Sequence, residues 1–322
     1  MNKIEFPRIG YDGQSYSQDD LEKWYWKEVE KLSIGNQLKA ITSVRDDEKL
    51  LLRYLCLHLK GIILASPEKL KQLSSKVISR FHGVLLEVID GKTQATKFNK
   101  NILKAFGYKK NRSTIFMDLA SKLNIKTCPY CNGHYTLYLE KAMGGRVLKL
   151  AKLQFDHFFP QQENPFLSMS LYNLIPSCPA CNQSKSTLAM GLKYHPYISD
   201  IHKLFKFRIT DPLTLWSGSS KVDSIEIKLV PTVAGEDIEE LDNKFHLGMQ
   251  YARHKDIVRE VYEKVYMEGY YANPRNFSFM GPSSHAFRLL LGTYVDCFDI
   301  ERRPLTKFIQ DIWEQAHDVS DD

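Results

Sequence analysis

Cys128-Pro129-Tyr130-Cys131, Phe155-Asp156-His157 and Tyr172-Asn173-Leu174-Ile175-Pro176-Ser177-Cys178-Pro179-Ala180-Cys181-Asn182 decide the reading of this chain. Two C-x-x-C pairs offer four thiolates, the donor set of a closed tetrahedral zinc site with Zn–S bonds of about 2.3 Å. A closed tetrathiolate is structural, so Cys128, Cys131, Cys178 and Cys181 are expected to staple one Zn²⁺ while the chemistry lies between the pairs. Of the six cysteines, Cys56 and Cys297 remain outside this set. A duplicated C-x-x-C in a chain whose start, MNKIEFPRIGYDG, has no apolar leader-like run argues against a secreted disulfide framework. The expected compartment is the reducing cytoplasm.

Outward from the cysteines, 322 residues with 43% hydrophobic and 25% charged side chains describe an ordinary globular composition. The most apolar stretch, residues 50–65, is interrupted by Arg53, His58 and Lys60 and is too short to span a bilayer. Charge is unevenly placed. Between Lys92 and Lys152 thirteen Lys and Arg face only Asp118 and Glu140, a net of +11 in a chain whose total is +6, so the remainder is acidic. Cations concentrated before and inside the cysteine module form an electrostatic footprint for a phosphate backbone. The bland alternative is a solvated helical face.

The expected fold class is α+β, a mainly helical protein with a small ββα core. Residues 1–125 read as helical: Ser17 to Asp20 is a capping signal, followed by Leu21, Trp24, Tyr25, Val29 and Leu32 at helical spacing. Further helices are expected over 46–64, 67–89, 93–106 and 113–123. From Cys128 the period changes, with extended runs over 134–140 and 147–158 around a Gly144-Gly145 turn, and a short helix after Cys181. Beyond residue 197 the pattern gives strands near 206–209 and 224–230, a helix over 236–269, and a final helix over 283–319 bent near Arg303-Pro304. The expected segments are therefore 1–125, 126–197 and 198–322.

A strand ending in Asp156-His157 puts a carboxylate and an imidazole at a strand-to-loop exit. Asn182 starts a helix whose free N–H groups favour an anion. Such a set suits metal-assisted phosphodiester hydrolysis, in which a metal neutralises phosphate charge and an imidazole takes a proton from water. The run C-x-x-C, D-H-x-x-P (Asp156, His157, Pro160) and N-L-I-P-x-C-x-x-C-N-x-x-K (Asn173 to Lys185) resembles the HNH nucleases with a ββα-metal fold and two C-x-x-C pairs, over residues 126–197. The resemblance implies that His157 is the general base and that Asn173 orients it by accepting from its ring N–H. It implies Asp156 and Asn182 as ligands of a catalytic Mg²⁺ or Mn²⁺, and Lys185 as a phosphate contact. Where many members carry His, this chain has Asn182, a weaker ligand, and His195 is a candidate further ligand. Lys149, Lys152 and Arg146 are candidate nucleic-acid contacts. His134 reads as a packed or solvent-facing strand residue.

The phrasing from Phe166 to Cys178 with His195-Pro196-Tyr197 downstream resembles the HNH subunits of anti-phage systems of the Septu and retron-associated type. That resemblance implies DNA as substrate and an ABC-type ATPase as partner, docked by residues 1–125 and 198–322. No phosphate loop and no G-x-S-x-G elbow occurs, so the chain is not expected to hydrolyse ATP itself. Two other readings compete: a zinc-knuckle module that binds nucleic acid without cutting it, and a scaffold subunit of a defence complex.

Overall fold

The computed structural model describes all residues except 1, 217–223, 236, 272–287, 290 and 321–322. Among the described residues the protein is mixed α/β, roughly half helical, with five separate two-stranded antiparallel sheets. It divides into two compact units, one of Ile4–Ile125 and Thr136–Ser199, the other of Met1–Lys3, Lys126–Tyr135 and Asp200–Asp322. Residues 126–135, which open the expected central segment, thus group with 200–322. No helix among the described residues is long and apolar enough to cross a membrane.

The first unit opens with a small ribbon, β1 (Arg8–Ile9) and β2 (Ser15–Tyr16), followed by α1 (Gln18–Glu30). The Ser17 hydroxyl accepts from the Asp20 N–H at 3.1 Å and the Asp20 carboxylate accepts from the Ser17 N–H at 3.2 Å, a closed capping box. Leu21, Tyr25 and Val29 form the buried stripe. The helices α2 (Ile34–Lys39), α3 (Asp46–Leu57), α4 (Leu59–Ile63) and α5 (Pro67–Leu85) come next. Two expected helices are corrected here. The 46–64 helix breaks at His58, whose backbone is not helical, and α5 stops at Leu85. The chain continues as a hairpin of β3 (Leu86–Ile89) and β4 (Lys92–Ala95), because Asp90 (φ 51°) and Gly91 (φ 72°) adopt the left-handed conformation a two-residue hairpin turn needs. Only then does α6 (Lys97–Phe106) begin, capped by Thr96, whose hydroxyl accepts from Asn99 N–H at 3.0 Å and donates to Val84 O at 2.6 Å. The helix α7 (Ile115–Leu123) completes the helical part.

The expected extended run 147–158 is two strands in two sheets. Gly144-Gly145 turns β5 (Tyr138–Met143) into β6 (Arg146–Ala151), an exposed hairpin. The chain then re-pairs as β7 (Gln154–His157) with β8 (Leu174–Ser177), in the register Asp156 opposite Ile175 and His157 opposite Leu174. α8 (Pro179–Lys185) begins directly after β8, with Pro179 at its first position where no intrahelical N–H is lost. The connection 158–173 is buried from Asn164 onward, with Phe158, Phe166, Leu167, Met169 and Leu171 fully inside. A buried loop must satisfy its own backbone. Part of that task falls to Tyr25, whose hydroxyl donates to Met169 O at 2.9 Å, and the Ser168 hydroxyl donates to Pro165 O at 2.8 Å.

In the second unit β9 (Phe205–Ile209) and β10 (Ile227–Pro231) pair, flanking α9 (Pro212–Trp216). The expected 236–269 helix is three: α10 (Glu239–Phe245), α11 (Leu247–Tyr251) and α12 (Lys255–Tyr271), broken where His246 takes φ 52°. Of the expected 283–319 helix, residues 283–287 and 290 lie outside the described residues; a 3-10 helix spans Cys297–Arg302, and the long helix is only α13 (Thr306–Ser320). Its side chains cover the open edge of β9: Asp311 accepts from Phe207 N–H at 2.9 Å and Gln315 brackets Ile209 through both its amide atoms. The first cysteine pair sits in this unit. Tyr130 stacks on Phe245 with centroids 4.5 Å apart, and the Tyr251 hydroxyl donates to Cys131 O. Asn132, at φ 54°, donates to Ile300 O at 2.8 Å and accepts from Lys307 N–H at 3.0 Å.

Lys307 and Asp311 form a buried ion pair at 2.5 Å on α13. Burial pushes the Lys307 pKa down and the Asp311 pKa up, while their mutual attraction opposes both shifts. Removing one partner strands the other charge. Lys307→Ala is therefore expected to cost about 3–5 kcal/mol in urea unfolding, and Lys307→Met with Asp311→Asn distinctly less; equal losses would show that the pair itself is not what matters.

Candidate functional site

The hairpin β7–β8 and the helix behind it assemble most of the sequence-derived residues within one unit. Gln154 and Asp156 project from the same face of β7 because side chains alternate along a strand. Asn182 and Lys185 lie three apart on one face of α8. The two pairs meet: Asn182 Nδ2 donates to Gln154 Oε1 at 2.5 Å, and Lys185 Nζ reaches both Asp156 carboxylate oxygens at 3.2 Å and His157 O at 2.7 Å. Lys185 is 0% exposed and Asp156 2%. An ammonium that deep is a fixed counter-charge to Asp156, which corrects its expected role as a phosphate contact.

His157 is buried, with 8% of its surface exposed. Its Nε2 lies 3.0 Å from Ser168 O, so the tautomer with the proton on Nε2 satisfies that carbonyl and leaves the lone pair on Nδ1. Burial lowers its pKa to about 4, the Lys185 and Arg112 charges adding to the effect against the Ser168 carbonyl. The imidazole is thus neutral at pH 7, as a proton acceptor must be. The expected bond from His157 to Asn173 is not the one formed. Asn173 Oδ1 accepts from Phe159 N–H at 2.7 Å, and Nδ2 donates to Phe159 O at 3.1 Å and Leu167 O at 3.0 Å. Asn173 pins both ends of the loop, and through Leu167 it places the Ser168 carbonyl that meets the ring.

Three further residues complete the surroundings. Tyr108 donates to Phe155 O at 3.1 Å and lies edge-on to His157, with centroids 4.4 Å apart. Arg112, exposed, sits over the Tyr108 ring at 5.9 Å. His195 is fully buried against Phe158 (centroids 4.2 Å apart); its Nδ1 accepts from Tyr197 N–H at 3.3 Å, and its Nε2, near the Tyr172 backbone, makes no hydrogen bond of ordinary geometry among the described residues. Sequence reasoning missed Ser168, Gln154, Tyr108 and Arg112. Gln154 was detectable from its i, i−2 relation to Asp156; Tyr108 lies far upstream and carries no local signal.

The Asp156 carboxylate is engaged by Lys185, and the Asn182 amide by Gln154. Among the described residues the one group of three or more acid, His or Cys side chains close enough to share an ion is Cys128, Cys131, Cys178 and Cys181. Their sulfurs all lie within 4.8 Å of one another; all four are buried and none is disulfide-bonded. A tetrahedron with Zn–S of about 2.3 Å has S–S edges of about 3.8 Å, so the quartet can hold a metal such as zinc. Gly133 N–H donates to Cys131 Sγ at 3.3 Å and Cys181 N–H to Cys178 Sγ at 3.4 Å, polar support suited to thiolates. His134 Nδ1 lies 3.7 Å from Cys131 Sγ.

Of the basic candidates, Lys149 is paired with Asp118 at 2.6 Å, while Arg146 and Lys152 are exposed on and just after the β5–β6 hairpin. No protein-family model, no curated protein and no solved structure matches the chain.

Two measurements address these groups. Elemental analysis of purified protein is expected to give about one zinc per chain, and Cys181→Ser to lose both the metal and cooperative unfolding; folded, metal-free protein would contradict this. The second concerns acid. Burial lowers the His195 pKa to about 3, a weaker influence of the Tyr172 backbone opposing it. Because the folded values of His195 and His157 lie below the unfolded value of about 6.5, their neutral forms support stability above that pH. That support is lost as pH falls from about 6.5 toward 4, each histidine adding a slope of up to about 1.4 kcal/mol per pH unit. His195→Phe is expected to flatten the acid limb of unfolding free energy against pH; an unchanged slope would remove His195 from the account.

Proposed function

We propose that the protein is a metal-dependent HNH endonuclease that hydrolyses DNA phosphodiester bonds. What carries the reading is His157: a buried, neutral imidazole whose Nε2–H is held by Ser168 O, leaving Nδ1 to take the proton of an attacking water. The D-H-x-x-P and N-L-I-P-x-C-x-x-C-N-x-x-K spacing supports it, since the residues of both motifs converge on one strand-strand-helix unit. The cysteine quartet is read as a structural Zn²⁺ site. A catalytic Mg²⁺ or Mn²⁺ would supply charge neutralisation at the scissile phosphate. Asp156 is engaged by Lys185 and Asn182 by Gln154, so the chemistry assigned to the chain's own residues stops at proton transfer by His157. On the resemblance of the 166–178 phrasing, the proposal extends to an effector of anti-phage defence in the cytoplasm that works with an ABC-type ATPase.

The burial of Asp156 beneath Lys185 favours a second reading, a zinc-knuckle module that binds nucleic acid without cutting it. Plasmid nicking with Mg²⁺, with Mn²⁺ and with EDTA separates the two. The endonuclease reading expects metal-dependent cutting that falls at least about 100-fold in His157→Ala, the usual scale for losing a general base, at unchanged zinc content and melting temperature. Binding without cutting by the unaltered protein selects the second reading, and full activity in His157→Ala ends the assignment of the base.

A further inference from the structure

The helix α6 is sharply two-faced. Phe98, Asn99, Ile102, Ala105 and Phe106 are buried, while Lys97, Lys100 and Lys104 are exposed. At 100° per residue these three lysines fall within one narrow arc, and at about 1.5 Å per residue they extend over about 10 Å of helix. Gly107, at φ 76°, ends the helix and turns the chain through Lys109 and Lys110, both exposed, to Arg112. None of these six cations makes an ion pair among the described residues. On the β5–β6 hairpin, by contrast, Lys149 is neutralised by Asp118.

Two further observations give the stripe a direction. On one side it borders a cleft of about 830 Å³, where Lys97 and Lys104 face Arg45, with Glu48 the acidic side chain of the lining. At its other end Arg112 lies over the Tyr108 ring, which is edge-on to His157. An exposed guanidinium over the Tyr108 ring, whose edge meets the buried base, and without a carboxylate partner among the described residues, is placed to receive a phosphate.

We propose that the Lys97, Lys100 and Lys104 face of α6, continued by Lys109, Lys110 and Arg112, is a track for the phosphodiester backbone of a nucleic acid that ends at His157. The ligand is a polyphosphate backbone, and Arg112 contacts the phosphate next to the imidazole. The primary backbone contacts thereby move from the hairpin residues Arg146, Lys149 and Lys152 to α6. Duplex DNA carries about one charge per 1.7 Å of axis, so a face about 10 Å long meets several phosphates. The Arg112 part rests on the endonuclease reading; the track itself does not.

The test uses full-length His157→Ala protein, so that binding is read without cutting. Anisotropy with labelled duplex DNA, single-stranded DNA and RNA is measured across a NaCl series. Lys97→Gln, Lys100→Gln and Lys104→Gln together are expected to weaken binding to the preferred nucleic acid more than tenfold. On duplex DNA the slope of log K against log salt should shrink by about 0.9 for each phosphate that the variant no longer neutralises. Arg146→Gln with Lys152→Gln should change affinity less than threefold. Unchanged slope in the α6 variant, an equal loss in the hairpin variant, or no nucleic-acid binding by the parent protein would each overturn the track. Melting temperatures check that the variants fold, which exposed lysines should leave unaltered. In active protein Arg112→Ala is expected to lower single-turnover cutting at saturating nucleic acid more than tenfold; unchanged cutting removes Arg112 from the site. If no cutting is found with any metal, the endonuclease reading fails while the binding series still decides the track.

Discussion

The ammonium of Lys185, inside the protein with no exposed surface, sets the geometry of everything around it. Taking such a charge out of water costs several kcal/mol, and the cost is offset only by close, well-placed partners. Here the partners are both Asp156 oxygens and the His157 carbonyl, so the last turn of α8 is tied to the last two residues of β7. Gln154 and Asn182 repeat the tie one step earlier along each element. The helix consequently cannot slide or rotate against the strand without exposing an unpaired charge, and the Asp156-His157 peptide is held by its backbone as well as its side chain.

What this fixes at one end of the loop, Asn173 fixes at the other. A loop buried as deeply as residues 164–173 would be unstable if its carbonyls lacked donors. The amide of Asn173 spans Phe159 and Leu167, the hydroxyls of Tyr25 and Ser168 serve Met169 and Pro165, and the Ser170 hydroxyl donates to Ile62 O. The His157 tautomer is a by-product of that loop's shape, because the carbonyl meeting its Nε2 belongs to the loop and not to a dedicated side chain. Serines and an asparagine among bulky apolar residues are therefore read as backbone donors in a buried loop.

The second unit uses the same device differently. Asn132 and Asp311 give their side chains to backbone groups of distant segments, Asn132 to the chain around Ile300 and Lys307, Asp311 to the edge of β9. In both units polar side chains inside the core define which backbone lies beside which, while the apolar residues supply bulk attraction without direction.

By itself the sequence determined the local features. It placed the two C-x-x-C pairs as the four ligands of one ion, the Ser17 capping box, the Gly144-Gly145 turn and the presence of Asp156 and His157 at a strand end, because each depends on residues close in the chain or on a fixed ligand stoichiometry. The Asp90-Gly91 hairpin is also local, yet its sequence reads as helix because the apolar spacing of α5 runs on into β3, where left-handed backbone overrides it. Only the tertiary structure decided that Lys185 faces inward to Asp156, that Ser168 rather than Asn173 meets His157, and that Tyr108 packs between the imidazole and Arg112. Helical phase alone allows Lys185 to point to solvent or to the strand. Burial, charge pairing and the satisfaction of loop carbonyls make that choice, and these are sums over residues far apart in sequence.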